Sequence, residues 1–283
     1  MDTDPVDPLA ESPERAELRA TIRRLIDDVS PPARIAALDE AETFDEALFG
    51  ALGAAGAFAV GAPVATGGIG DVRDQLVVVE ELGAGPTSMA AFVIAHYAVT
   101  QVLGTFGHTA AHRDLAARLV AGDTRCSFAL SEPAGGTDVA RVMRTSAGPD
   151  GDAWRITGQK LWTSGATIAE AIVVLARTAP IETSPVHGVT MFLVPTDAPG
   201  VTVRAIDTFG IRGCSTCEVF LDDVLVDADA VLGDVDRGMR QVFATINREG
   251  LNAAAACLGA GRGALDLAVA YAKEREVFGK PIG

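Results

Sequence analysis

The chain has 283 residues, 48% of them hydrophobic, with 23 Lys and Arg against 38 Asp and Glu. That composition excludes a disordered polymer and leaves room for one large domain or two to three smaller ones, each with ample core. The formal charge of −15 disfavours nucleic acid and anionic membranes as partners, and an anionic ligand would need a local cationic patch. Four cysteines do not make a disulfide framework, which points to a reducing cytoplasm. The opening MDTDPVDPLAESPE is acidic and Pro-rich; it lacks the basic-then-apolar order of a signal peptide and reads as a frayed tail.

Ser12 before Pro13 and Glu14 is a helix start, and Leu18, Ile22, Leu25 and Ile26 follow at helical spacing. Pro31-Pro32 reads as the end of that helix. A second amphipathic helix is expected from Phe44 to Leu52, closed by Gly53. Gly61 to Gly70 is a loop, and Val77 to Leu82 is helical again. Pro86 to Gly104 has no formally charged residue and is long enough to span a membrane. Thr87, Ser88, His96, Tyr97, Thr100 and Gln101 are scattered through it, so a buried central helix with His96 as a core histidine fits better. Leu115 to Val120 is a further helix, and Ala121-Gly122-Asp123 is its exit. Residues 1–124 therefore read as an all-helical domain.

From 125 to about 235 the period switches to two. Phe128 and Leu130 alternate with small residues, as in a half-buried strand. Ser131-Glu132-Pro133-Ala134-Gly135-Gly136-Thr137 follows, where Pro133 cannot continue a ladder and the glycines let a backbone approach a bound molecule. Its N–H groups and the Thr137 hydroxyl could hold an anion or a carbonyl. Pro149-Asp150-Gly151 signals a turn between two strand-like runs. Trp162, with Thr163 and Ser164, sets an aromatic plate beside two hydroxyls, which suits a flat ring with polar edges. An ordinary hairpin with a core Trp explains the same residues. Ala171 to Ala176, Val189 to Val194 and Thr216 to Leu221 are strands, with Pro195 to Gly200 as a turn. Cys214 and Cys217 form a C-x-x-C without the second ligand pair of a zinc site or the helix start of a thioredoxin site, so the spacing is read as chance. No G-x-G-x-x-G follows a strand, which leaves a Rossmann unit unsupported.

Helical character returns at Arg237. Gln241 to Leu258 has few breakers, Gly259, Gly261 and Gly263 allow close helix packing, and Ala264 to Ala272 resumes the period. Residues 236–283 thus read as the start of a helical bundle. The fold class expected is α+β multidomain: an N-terminal all-helical domain (1–124), a central β-barrel-like or sandwich domain (125–235) and an incomplete C-terminal helical domain (236–283).

FALSEPAGGTDVA followed by WRITGQKLWTSG resembles the paired signatures of the acyl-CoA dehydrogenase family, A-x-T-E-P-x-x-G-S-D and I-N-G-x-K-x-W-I-T. Gly210 to Thr216 resembles the family's G-x-R-x-S-x-T, with Cys214 in place of serine. Arg275-Glu276-Val277-Phe278-Gly279-Lys280-Pro281-Ile282 resembles R-x-x-F-G-x-P-I, which in the family leads into further helices; the chain is expected to be a truncated form or a fragment. One departure lies at Pro63-Val64-Ala65-Thr66-Gly67-Gly68, where the family's acidic pair is missing.

The resemblance implies a FAD enzyme that removes two hydrogens from the α and β carbons of an acyl-CoA thioester and passes electrons to an electron-transfer flavoprotein or similar acceptor. It implies that Phe128, Leu130, Ser131, Trp162 and Ser164 line the flavin, and that Gly136 and Thr137 meet flavin or the pantetheine arm. Counting back from Phe278, Glu249 falls where some members carry the catalytic base; other members carry the base in the C-terminal part beyond this sequence. A solvated glutamate in an i,i+4 pair is the plain alternative. Gly250 stands where the family has arginine, and Arg248 is the candidate substitute for that substrate contact. If 249 to 275 is helix, its ends lie about 39 Å apart at about 1.5 Å per residue. Arg275 is then expected to reach the cofactor of a neighbouring subunit, with Phe278 at the same interface, as the resemblance implies. A surface ion pair of Arg275 with Glu274 or Glu276 is the alternative. Two other readings share the fold: a flavin oxidase or monooxygenase, and a non-catalytic subunit completing a partner's flavin site.

Overall fold

The computed structural model describes residues 11–283; the first ten residues of the acidic start lie outside that range. Helix α1 (Pro13–Val29) opens as its sequence dictates, with the Ser12 hydroxyl accepting the Arg15 N–H and Pro13 in the first turn. Pro31-Pro32 does end it, but Pro32 also begins α2 (Pro32–Glu40), a helix the sequence reading did not expect. A proline at the first helical position loses no hydrogen bond, so the pair is a boundary between two helices. Helix α3 (Glu46–Ala54) starts one residue after its Asp45 cap and runs through Gly53. Gly53 is there for contact: a Cβ on it would meet the Ala121 carbonyl at 2.9 Å.

Helices α4 (Val72–Ala84), α5 (Thr87–Phe106) and α6 (Ala110–Ala121) complete the N-terminal part. Gly122, at φ +78°, closes α6 in the left-handed region. Helix α5 is the central one. Met89, Ala90, Phe92, Val93, Val99, Val102 and Leu103 on it are all buried. His96 is buried among Phe49, Phe58 and Phe92 with Nε2 on the Leu119 carbonyl at 2.9 Å, and burial pulls its pKa down to about 4. Both α5 and the C-terminal helix are long and apolar enough to cross a membrane.

The central part is one eight-stranded mixed sheet folded on itself. Its strands are β1 (Cys126–Ala129), β2 (Ser146–Asp150), β3 (Ala153–Ser164), β4 (Ala171–Arg177), β5 (Val189–Pro195), β6 (Val201–Ile206), β7 (Thr216–Asp227) and β8 (Val231–Leu232). The path is β6-β7-β3-β2-β4-β5-β8, with β1 parallel to β4. A single pair, Ser146 with Arg177, joins the halves β6-β7-β3-β2 and β1-β4-β5-β8. Between them lies a core of Ile156, Ile172, Val174, Phe192, Val194, Val219, Leu221 and Val224. The alternate residues of β4, Ala171, Val173 and Leu175, face α5 and α6 instead. Burial on both faces explains its unbroken apolar run. A short helix α7 (Val139–Val142) sits between β1 and β2.

Three strand expectations shift. The hairpin turn falls at Gly151-Asp152, because Pro149 and Asp150 pair with Trp154 and Ala153 in the ladder. Strand β7 continues past Asp222 to Asp227, with Asp223 at φ +51° at an irregularity in its pairing with β3. Strand β6 was not foreseen.

Helix α8 (Gly238–Glu274) is continuous for 37 residues and packs along α4 and α5. A Cβ on Gly259 would enter the backbone of Glu80, one on Gly263 the backbone of Ala84, and one on Gly83 the backbone of Ala256. The expected close packing at these glycines is therefore real; Gly261 faces open space. The chain ends in a hairpin of β9 (Glu276–Val277) and β10 (Lys280–Pro281) around Phe278 and Gly279, both at positive φ.

Candidate functional site

Strand β1, the 131–137 loop and the end of β3 are pinned into one unit. The Leu161 N–H donates to the Ser131 carbonyl at 2.9 Å, and the Ser127 hydroxyl to the Ser164 carbonyl at 2.8 Å. Behind the loop, Lys160 Nζ reaches Glu132 Oε1 at 2.8 Å and the Leu130 carbonyl at 3.2 Å. The Glu132 carboxylate also accepts the N–H groups of Arg144 and Thr145. Lys160 is 0% exposed. Burial pulls its pKa to about 8 against the pull of Glu132, so it stays a cation at neutral pH. Glu132 loses hydration on burial, which raises its pKa, but Lys160 and the N–H groups outweigh that and hold it below the ordinary carboxylate value. A buried pair with its remaining lone pairs satisfied fixes geometry, and removing one partner would strand a charge.

This pair went unread in the sequence. Its signal is a lysine at an inward register of a strand, Lys160, four residues after the buried Ile156. An acid ahead of Pro133 completes it.

Phe128 on β1 and Leu130 just beyond it are half-buried and pack against the cluster of Val99, Val102 and Leu103. Trp162 is 58% exposed and stands at φ +63°, where β3 slips its register between Lys160 and Thr163. A bulge that re-aims one side chain is a device typical of sites. Among the described residues, the hydroxyls of Ser131, Thr137 and Ser164 have no hydrogen-bond partner, and a Cβ on Gly136 would meet nothing. The unit thus carries an exposed aromatic face, two half-buried apolar side chains and three hydroxyls without a partner among the described residues.

Glu249 lies on α8, facing a narrow crevice between α5 and α8. Its carboxylate is partly buried without a hydrogen bond or ion pair to any described residue, and burial alone raises its pKa above the usual carboxylate value. Arg248 is tied down: Nη1 donates to the Gly61 carbonyl and to Gln101 Oε1, both at 2.9 Å. Helix α5 packs on β1, β3 and α8, so it joins this crevice to the β1–β3 unit. Arg275 and Phe278 are not brought to either place within one subunit. Arg275 ends α8, and Phe278 is 99% exposed on the terminal hairpin. Cys214 and Cys217 are buried free thiols, and burial pushes Cys214 up to about 12. A larger cavity of about 870 Å³, between α1, α2, the α4–α5 junction and α8, is lined by none of the expected site residues.

Comparison with known proteins decides what these features belong to. The chain matches the N-terminal domain of acyl-CoA dehydrogenase over residues 12–123, the middle domain over 127–224 and the C-terminal domain over 236–283. It is 32% identical over 272 residues to the probable acyl-CoA dehydrogenase fadE25 of Mycobacterium leprae, covering 95% of this chain and 69% of that protein. The chain belongs to the acyl-CoA dehydrogenase family.

A second relative, the probable acyl-CoA dehydrogenase YngJ of Bacillus subtilis, is 34% identical over 254 residues, 87% of this chain and 65% of its own length. The chain thus spans about two thirds of these curated acyl-CoA dehydrogenases. Among solved structures, a glutaryl-CoA dehydrogenase in complex with glutaryl-CoA superposes with a TM-score of 0.90 at 28% identity, covering all of this chain and 71% of that one. A glutaryl-CoA dehydrogenase from Mycobacterium smegmatis in complex with FADH2 gives 0.86 at 29% identity, over 96% and 68%.

Proposed function

We propose that the chain is part of a FAD-dependent acyl-CoA dehydrogenase that converts an acyl-CoA thioester to its 2-enoyl-CoA in the cytoplasm. The observation that carries this reading is an unpartnered, partly buried carboxylate at Glu249 together with the pinned β1–β3 unit, α5 packing against both elements that hold them. The donor set of that unit fits an isoalloxazine: Trp162, Phe128 and Leu130 offer flat apolar contact, and the Ser131 and Ser164 hydroxyls are available to its polar edge. When bound, the flavin would supply the acceptor for the hydride leaving the β carbon.

The protein residues do the rest. Glu249 takes the α proton at its carboxylate oxygen, and its desolvation makes it a stronger base than a solvated glutamate. Gly136 and Thr137 leave the loop open for the pantetheine arm or the flavin. Arg248 orders the crevice wall through Gly61 and Gln101. Arg275 and Phe278 extend from the far end of α8 to a neighbouring subunit's flavin, and an electron-transfer flavoprotein or similar acceptor reoxidises the enzyme.

The test is a visible spectrum of the full-length protein before and after anaerobic addition of mixed acyl-CoA thioesters. Bleaching of the flavin bands in the parent, slowed at least about 100-fold in Glu249→Gln, is the expected result. Bleaching at the parent rate in that variant removes Glu249 as the base; no bleaching with any thioester removes the activity.

A further inference from the structure

The crevice beside Glu249 contains an acceptor with nothing to accept. Asn252, one turn along α8, is 2% exposed, and its Oδ1 has no partner among the described residues. Its orientation is dictated by a relay. The Val60 carbonyl can only accept, so the Gln75 amide nitrogen faces it, at 3.3 Å. Gln75 Oε1 therefore faces Asn252 and accepts from Nδ2, also at 3.3 Å. Flipping Asn252 to satisfy Oδ1 would set two carbonyl oxygens against each other, so the acceptor stays directed away from Gln75. Buried acceptors in native proteins find a donor, and this one belongs to a residue that lines the crevice.

We propose that Asn252 Oδ1 receives a hydroxyl carried by the acyl group, so that the preferred substrates are short hydroxyacyl thioesters; this rests on the reading given under Proposed function. Size and donor count choose the hydroxyl. The crevice has a free volume of about 10 Å³, about the room one water takes. A hydroxyl is the donor of that size, whereas an amide is larger. An ammonium is larger too and brings three N–H donors to that room. The walls also disfavour a long plain alkyl chain: Ile94, Tyr97 and Ala98 face Gln75, Arg248 and Asn252. Such a chain would seal Asn252 Oδ1 from water without giving it a donor. The carbons that carry this hydroxyl need more than that free volume, so it reaches Asn252 as the crevice widens around a few carbons beyond the one that faces Glu249; residues three apart on a helix are neighbours.

The full-length, flavin-loaded protein carrying Glu249→Gln, in which turnover is slowed, gives plain equilibrium affinities by calorimetry. The pairs are butanoyl-CoA against 4-hydroxybutanoyl-CoA and pentanoyl-CoA against 5-hydroxypentanoyl-CoA. At least one hydroxylated thioester is expected to bind about tenfold or more tightly than its plain partner, since a site built around a hydrogen bond discriminates against the analogue lacking it. Adding Asn252→Leu should bring that ratio near one, and Gln75→Leu, which unhooks the relay, should lower it. If Asn252→Leu does not fold, the ratio in the parent and in Gln75→Leu still decides. Ratios near one for both pairs in the parent overturn the inference, leaving Oδ1 to a structural water while the dehydrogenase reading stands. Failure of every thioester to bind overturns both.

Discussion

Glu249 differs from every other acid discussed above in having only burial acting on it. Glu81 is also desolvated, but Arg19, Arg23 and Arg262 surround it and hold its pKa below the usual value. Glu132 has Lys160. With no partner, Glu249 has its pKa above 4.5 when folded and near 4.5 when unfolded. The folded state therefore binds more protons than the unfolded state above pH 4.5, and stability is lost as pH rises through the folded pKa. Glu249→Gln should raise the Tm at pH 7 relative to the parent, and the gap should close below about pH 4.5 as both side chains become neutral. Equal melting temperatures at pH 7 would mean that Glu249 is a solvated surface group. Its candidacy was legible only through resemblance, by counting back from Phe278. Its isolation was not, because that depends on what α5 places opposite it. Asn252 went unread for the same reason: its open acceptor follows from a relay through Gln75 and Val60, on two other stretches of chain.

At the scale of elements, what the sequence could show was what local chemistry decides. Ser12 caps α1, Gly122 closes α6, and β4 reads as an unbroken apolar run because both of its faces are covered. Helix α2 was hidden because Pro32 is read as a stop, although it is also a good start. Strand β6 was passed over although VTVRAI alternates Val201 and Val203 with Thr202 and Arg204; it is short and lies on the edge of the sheet, paired only with β7. The glycines of α8 were legible as contact points, and the structure distinguishes them. Gly259→Ala or Gly263→Ala drives a methyl into α4 backbone and should destabilise by about 1–3 kcal/mol, as overpacking does. Gly261→Ala meets nothing within 4 Å and should stabilise by up to about 1 kcal/mol through helix propensity. Chemical denaturation of the three variants checks the contrast; equal effects would mean that α4 and α8 do not meet at these positions.

For the whole molecule, the continuity of α8 sets the remaining constraint. It is helical without a break from Gly238 to Glu274. Glu249 and Arg275 therefore stand about 39 Å apart along it, farther than one flavin can bridge. Phe278 projects on a tight hairpin with nothing from its own subunit over it. If Arg275 serves the flavin of a neighbour, each complete site draws Glu249 from one subunit and Arg275 from another. Arg275→Ala and Glu249→Gln proteins should then each be inactive alone and recover activity when unfolded, mixed and reassembled. In a two-fold pair, random mixing makes half of the pairs hybrid. In each hybrid, the subunit that keeps Glu249 receives its partner's intact Arg275, while the other site carries both defects. About one site in four should therefore regain the parent activity. No recovery, together with a monodisperse monomer that keeps its flavin, would place Arg275 outside the site and leave it as a surface cation beside Glu274 and Glu276.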